Sequence, residues 1–253
     1  MELNAVPGRA TRLLARFAAG IGLAAPAALE GLPAPARCRV TGTPLRGKLD
    51  READPEAFGL AQGRPTLLVV GGSQGARGLN TRVLEGVRAS ADLPFQVLHC
   101  AGPADAARVR ALYRDIPVAS AVVDFLPDIG RAYAVADVVL ARSGASTVAE
   151  CLVLGKPAVF VPYPWHRDRQ QARNAEAAVR AGAARLVEEE SLTSAAFRRL
   201  VEELLLDGAA RERMRARAPG LARPDAARAM AAHLFESLGE AVGEAPWLAE
   251  IGG

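Results

Sequence analysis

The stretch TLLVVGGSQGARGLN, residues 66–80, decides how the chain is read. Its first five residues are apolar or β-branched with no polar alternation, the pattern of a strand buried on both faces of a parallel sheet. Gly71, Gly72 and Gly75 follow at once, and a helical pattern runs from Ala76 to Arg88. Glycines in such a turn let the backbone approach an anion closely. The dipole and unpaired N–H groups of the new helix then favour phosphate. A tight strand-to-helix turn also favours glycine for local reasons alone. The segment is not a P-loop, because no G-K-[ST] follows, and its spacing is not G-x-G-x-x-G.

The same alternation repeats outward. Apolar runs at Phe95–Cys100, Ala121–Phe125, Asp137–Ala141 and Ala158–Val161 have strand length. Helical patterns at Ala104–Tyr113, Asp128–Ala136, Ser146–Leu154 and Arg169–Ala181 separate or follow them, with Gly155, Pro157 and Gly182 as stops. This predicts an α/β fold, a doubly wound, Rossmann-like parallel sheet with right-handed crossovers. After residue 190 the chain reads as helical, at Ser194–Leu206, Ala209–Ala218 and Ala226–Gly239, with a break at Pro219 and Gly220. Residues 1–46 offer one helix, about Arg9 to Ala19, and one strand near Arg39–Thr41 before the turn Gly42–Pro44. Two elements are too few for a domain.

Composition excludes several classes. The net charge of +3 is scattered without a basic block, which argues against nucleic acid as a partner. Only Lys48 and Lys156 are lysines; the arginine and alanine excess reads as codon bias. Cys38, Cys100 and Cys151 are odd in number and far apart, which suits a reducing cytosol. His99, His166 and His233 are equally dispersed, so no metal site is expected. Arg9, Arg12 and Arg16 before Phe17–Ala25 imitate a secretory signal. That run, however, has only Phe17, Ile21 and Leu23 as large apolar residues and breaks at Pro26, so it is not read as one. No run is long and apolar enough for a transmembrane helix.

Two further strand-end segments carry chemistry. In Ala141–Glu150 (ARSGASTVAE), Glu150 could accept two hydrogen bonds from a ribose diol, or serve as a helix-dipole or capping-box acid; spacing leaves both open. Arg142 could neutralise phosphate or be a solvated surface charge. In Pro162–Asn174 (PYPWHRDRQQARN), Gln170, Gln171 and Asn174 share one helix face, and their amides suit sugar hydroxyls. A solvated helix face is the bland alternative. His166 reads as a loop histidine, because no carboxylate is placed to orient it as a base. Ligands bind at the carboxyl ends of strands in open α/β sheets, so the three loops together predict a nucleotide or sugar-phosphate site.

At these segments the chain resembles the family 28 glycosyltransferases that add N-acetylglucosamine to lipid I in peptidoglycan synthesis. The resemblance rests on LLVVGGSQGARGLN, ARSGASTVAECLVLGKPAVFVPYP and HRDRQQARNAEAAVRAGAARLVEE, bridged by VVDFLPDIGRAYAVADVVLARSGA. It runs from about Glu2 to beyond Ala226 and implies the two-domain GT-B fold. It further implies that Ser73 and Arg142 contact the donor diphosphate and that Leu126 lies at the uracil. Ala145, Ser146, Thr147, Val148, Ala149 and Glu150 would line the nucleotide, with Glu150 on the ribose. Gln170, Gln171 and Asn174 would read the sugar hydroxyls, Arg46 would contact the donor at the hinge, and Asn4 would face the cleft. Leu3 and Thr43 depart from the glutamine and asparagine usual in the family, which touches the acceptor side.

The resemblance implies an inverting transfer from UDP-N-acetylglucosamine to the muramyl 4-hydroxyl of lipid I, with no cofactor and no metal. The family's acceptor domain, which carries the proposed histidine base, would precede residue 1. Residues 1–46 are then expected to be a truncated remnant of that domain and the hinge, 47–220 the UDP-sugar-binding domain, and 221–253 a helix returning toward the N-terminal side with a tail. No catalytic base is expected within the chain, and the chain alone is expected to be inactive. Leu13, Leu14, Phe17, Leu234, Phe235 and Leu238 would be left exposed. The expected location is cytoplasmic, with peripheral attachment to the inner membrane as a further option. Expected partners are the donor, the lipid I acceptor, and a separate acceptor-domain chain if that domain is supplied in trans. Alternatives are a non-catalytic UDP-sugar-binding subunit of a split transferase, or another UDP-sugar enzyme such as an epimerase.

Overall fold

A computed structural model describes residues 1–33, 35–45, 49, 51–72, 76–165 and 168–239. In chain order the elements are α1 (Arg9–Leu14), β1 (Ile21–Leu23), β2 (Cys38–Val40), β3 (Thr66–Val70), α2 (Arg77–Ala89), β4 (Gln96–Cys100), α3 (Ala106–Tyr113), β5 (Ser120–Val123) and α4 (Ile129–Val135). Then come β6 (Val138–Ala141), α5 (Ala145–Val153), β7 (Ala158–Phe160), α6 (Gln170–Arg180), β8 (Ala184–Leu186), α7 (Ser194–Leu200), α8 (Gly208–Arg215) and α9 (Ala226–Ser237).

Six strands form one parallel sheet in the order β5-β4-β3-β6-β7-β8. This is the doubly wound arrangement, in which β3 is central and the strand order reverses between β3 and β6. Alternation within the strands feeds two cores. Leu67, Val69, Val97, Val138, Leu140 and Val159 face α2, α3 and α7. Leu68, Leu98, Val139, Ala158 and Phe160 face α4, α5 and α6. Both faces being covered is why the strands are predominantly apolar, and the buried polar residues of β4, Gln96 and His99, are held by hydrogen bonds. Gly86 of α2 sits against the fully buried Phe197 ring of α7, so the absence of a side chain there sets how closely those helices approach.

The structure departs from the sequence reading at several elements. The sheet has a sixth strand, β8, which was not expected because its three residues include the exposed Arg185 on an edge strand. The stretch expected as one helix at 194–206 is α7 followed by a π turn at Val201–Leu205. The first helix closes at Leu14 rather than near Ala19. Among the described residues of 1–46 there are two strands, not one. Ile21–Leu23, inside the signal-like run, is a buried strand pairing in parallel with β2, and Glu2 bridges to Leu23. Ala15, Ile21, Leu23, Ala28 and Leu32 form a small core there. α9 packs on this unit: a side chain at Gly22 would meet Met230, and one at Gly20 would meet Ser237 and His233. Leu13, Leu14, Phe17, Leu234 and Leu238 are exposed, whereas Phe235 is half-buried. No helix among the described residues is long and apolar enough to cross a membrane.

Candidate functional site

The strand order reverses between β3 and β6, the place where open α/β sheets form a crevice outside the carboxyl ends of the strands, and α2 and α5 are the helices that follow these two strands. Gly72 after β3 has φ +88°, a left-handed conformation that glycine adopts without a Cβ penalty. Among the described residues, neither Ala76 at the N-cap of α2 nor Gly144 at the N-cap of α5 supplies a side-chain cap. Each therefore presents main-chain N–H groups and a positive dipole end. Ser73 and Arg46 lie outside the described residues, as does His166.

Arg142 stands at the reversal point. Its N–H donates to the Val70 carbonyl at 3.2 Å, tying the end of β6 to the end of β3. Its side chain is buried rather than solvated. Nη1 donates to the carbonyls of Val161 (3.1 Å) and Pro162 (2.9 Å), Nη2 pairs with Glu189, and Nε is buried without a partner. The Tyr163 ring lies beneath the guanidinium, 5.7 Å from the Arg142 carbon to the ring centroid.

Glu150 is in the second turn of α5, not the first. With Gly144 as N-cap, the capping-box position falls on Thr147, so neither helix-end alternative applies to Glu150. Its Oε2 instead accepts a 2.7 Å hydrogen bond from the Tyr133 hydroxyl, on α4 and 1% exposed. Burial raises the Glu150 pKa above its usual 4.5, while the Tyr133 hydrogen bond works against that rise. Tyr133 escaped the sequence reading because it falls in an ordinary amphipathic pattern, with no spacing signal linking it to Glu150. Ala145, Thr147 and Ala149 are partly buried, Val148 is buried and Ser146 is exposed.

The amides of α6 are half-buried and partly engaged within the protein. Asn174 accepts from the Ala5 N–H at 2.8 Å and donates to Asn4 Oδ1 and to the Ser143 carbonyl, each at 3.2 Å. Gln170 donates to the Val6 carbonyl at 3.3 Å, and Gln171 accepts from the Tyr163 N–H at 2.9 Å. Asn174 thus clamps the N-terminal segment to the loop after β6. Asn4 is also held by Glu2, whose Oε1 accepts the Asn4 N–H at 2.9 Å. Burial would raise the Glu2 pKa, but hydrogen bonds from Asn4, Thr11 and Gly8 outweigh it and lower the pKa. A groove of about 190 Å³ runs between this segment and α5–α6, lined by Leu3, Thr43, Ala145, Val148, Ala149 and Asn174. A larger, shallow depression of about 570 Å³ lies away from the crevice, by Leu84, Arg108 and Leu112. Leu126 is partly buried against the α4–α6 core, next to the exposed Phe125.

His99 belongs to the scaffold. It is fully buried between the Tyr113 hydroxyl (3.1 Å) and Asn80 (3.0 Å), and burial brings its pKa down to about 3. Asn80 also donates to Asp105 at 2.8 Å, so the network joins α2, β4 and the start of α3. Among the described residues, no three His, Cys, Asp or Glu side chains gather as a metal site.

Residues 66–230 match the glycosyltransferase family 28 C-terminal domain. The UDP-N-acetylglucosamine--N-acetylmuramyl-(pentapeptide) pyrophosphoryl-undecaprenol N-acetylglucosamine transferase of Anaeromyxobacter dehalogenans is 39% identical over 233 residues, covering 91% of this chain. The chain spans 60% of that relative's length. The crystal structure of Acinetobacter baumannii MurG superposes with a TM-score of 0.72 at 29% identity, covering 92% of this chain and 65% of that one. A UDP-N-acetylglucosamine 2-epimerase from Listeria monocytogenes superposes with a TM-score of 0.66 over 92% of this chain and 63% of that one, at 16% identity, a likeness of fold alone.

Proposed function

Because the chain belongs to the glycosyltransferase family 28 C-terminal domain family, we propose that it is the donor-binding part of an N-acetylglucosaminyltransferase. It would bind UDP-N-acetylglucosamine for transfer to a lipid-linked muramyl-pentapeptide acceptor, with inversion and without metal. The observation that carries the reading is the reversal of strand order between β3 and β6: α2 and α5 follow these strands with no cap from their N-cap side chains, Arg142 ends β6, and the Tyr133-held Glu150 lies on α5.

In this reading the chain supplies leaving-group chemistry. As the bond from the anomeric carbon to the diphosphate breaks, negative charge builds on the phosphate oxygens. Fixed dipoles at the starts of α2 and α5, with Arg142, stabilise that charge more than the ground state. Ser73 joins them on the diphosphate, and Leu126 packs near the uracil. Ala145 to Ala149 line the nucleotide, Glu150 takes the ribose diol, and Arg46 contacts the donor from the hinge. Gln170 and Gln171 face the sugar. Asn174, with its bonds to Asn4, Ala5 and Ser143, holds the cleft wall as well as reading hydroxyls. We read residues 47–220 as the donor domain, 1–46 as hinge and part of the acceptor-side domain, and 221–253 as a helix returning toward that domain, with a tail. Titration of UDP-N-acetylglucosamine, UDP-glucose and UDP by calorimetry tests the proposal. Preference for the N-acetylglucosamine donor supports it, and no binding of any of the three refutes it.

A further inference from the structure

Two adjacent glutamates after β8 each hold an arginine from a loop that follows a strand of the sheet. Glu188 pairs with Arg169, a residue at φ +50° that opens α6, and Glu189 pairs with Arg142. The two pairs differ in setting. Arg169 and Glu188 are largely exposed, whereas the Arg142 and Glu189 side chains are 8% and 17% exposed. The Glu189 carboxylate also lies beside Gly78 in the first turn of the 13-residue helix α2, so close that a methyl group at Gly78 would collide with it. A carboxylate thus stands where a buried guanidinium and a helix N-terminus offer favourable positions for negative charge.

Arg142 has few other donors to offer an anion. Nη1 is committed to two main-chain carbonyls, leaving Nη2, which Glu189 holds, and Nε, which is buried without a partner. We propose that Glu189 is a specificity-determining residue of the donor crevice, a resident carboxylate that a nucleotide diphosphate must displace from Arg142. The proposal rests on the donor-binding reading above. Like charges this close repel strongly at the reduced effective dielectric of a half-buried site. The competition therefore lowers affinity for any diphosphate, and lowers it most for free UDP, which carries more negative charge than its sugar ester. After transfer that difference favours release of the product.

The test is calorimetry on the 253-residue chain and its Glu189→Gln and Glu189→Ala variants, with uridine, UDP and UDP-N-acetylglucosamine as probes. Melting curves confirm that each variant folds, and the alanine variant serves if the glutamine one does not. Uridine affinity should stay constant. UDP should bind about tenfold more tightly to either variant, on the scale of one displaced charge partner, and gain more than UDP-N-acetylglucosamine does. Unchanged or weaker UDP binding, with uridine unaffected, overturns the proposal and makes Glu189 a mere support for Arg142. Failure of all three probes on the wild-type chain defeats the donor reading itself, and this inference with it.

Discussion

Replacing Glu150 should weaken donor binding and destabilise the fold at once, and the two effects can be separated. Its carboxylate carries the proposed ribose contact, worth about 1–3 kcal/mol for hydrogen bonds to a charged group, or roughly 5- to 150-fold in Kd. The same carboxylate accepts the Tyr133 hydroxyl, which is 1% exposed. Glu150→Ala leaves that hydroxyl buried and unpaired, at a further cost of about 1–3 kcal/mol in stability. For a chain of this size the melting temperature should fall by about 2–4 °C per kcal/mol. Glu150→Gln keeps an acceptor for Tyr133, so it should melt near wild type yet still bind UDP-N-acetylglucosamine weakly. The pH dependence gives an independent check. Because burial raises the Glu150 pKa, the folded state holds that proton more tightly than the unfolded one. The resulting stability is fully present below the usual 4.5 and is lost as pH rises through the higher folded value. Binding runs the other way: the diol needs the carboxylate, so affinity should climb across that same interval above 4.5, and Glu150→Gln should abolish the climb. Calorimetry across pH, beside thermal melts, measures both. Wild-type affinity in Glu150→Ala would refute the reasoning and leave Glu150 only as the partner of Tyr133.

Donor affinity should be the same in EDTA as in added magnesium or manganese; strict dependence on either metal, seen by calorimetry, contradicts the reading. Asn174→Ala removes three hydrogen bonds that tie Ala5 and Asn4 to Ser143. It should cost about 1–3 kcal/mol in urea denaturation and speed hydrogen exchange at the Ala5 amide, and an unaltered exchange rate there contradicts the clamp. Gly86→Ala would drive a methyl group into the buried Phe197 ring. The overpacking of about 1–3 kcal/mol should exceed the roughly 1 kcal/mol gained in helix propensity, giving a lower melting temperature; a stabilised variant means that α2 and α7 can move apart.

Much of the sheet was legible because a strand buried on both faces is mostly apolar; Thr66–Val70 is the clearest case, with strand and run coinciding. β8 was not legible, since an edge strand of three residues carrying Arg185 has no such signature. Ile21–Leu23 was masked by its basic and alanine-rich flanks, although as a strand it is fully buried. At the candidate site, the glycine turn, Arg142, Glu150 and the α6 amides all stood out as residue types at strand ends. Their partners did not. Tyr133 lies 17 residues from Glu150 and Glu189 lies 47 from Arg142, and no local spacing connects either pair. Glu189 also sits in the acidic run 188–190, which reads as ordinary solvated charge. A sequence shows which groups are available more readily than which are already engaged.

The reversed strand order has a thermodynamic consequence. β3, β4 and β5 come from one continuous stretch, residues 66–123, and β6, β7 and β8 from another, 138–186. The register from Leu67 with Val138 to Val70 with Ala141 is the ladder that stitches the two stretches into one sheet. That seam runs directly beneath the crevice. A ligand touching both walls would therefore act as a reversible staple across the two stretches, opposing any opening that parts them. At a hundredfold excess over its Kd, such a ligand would deepen the native well by about 2.7 kcal/mol, so occupancy of the crevice and integrity of the sheet rise and fall together.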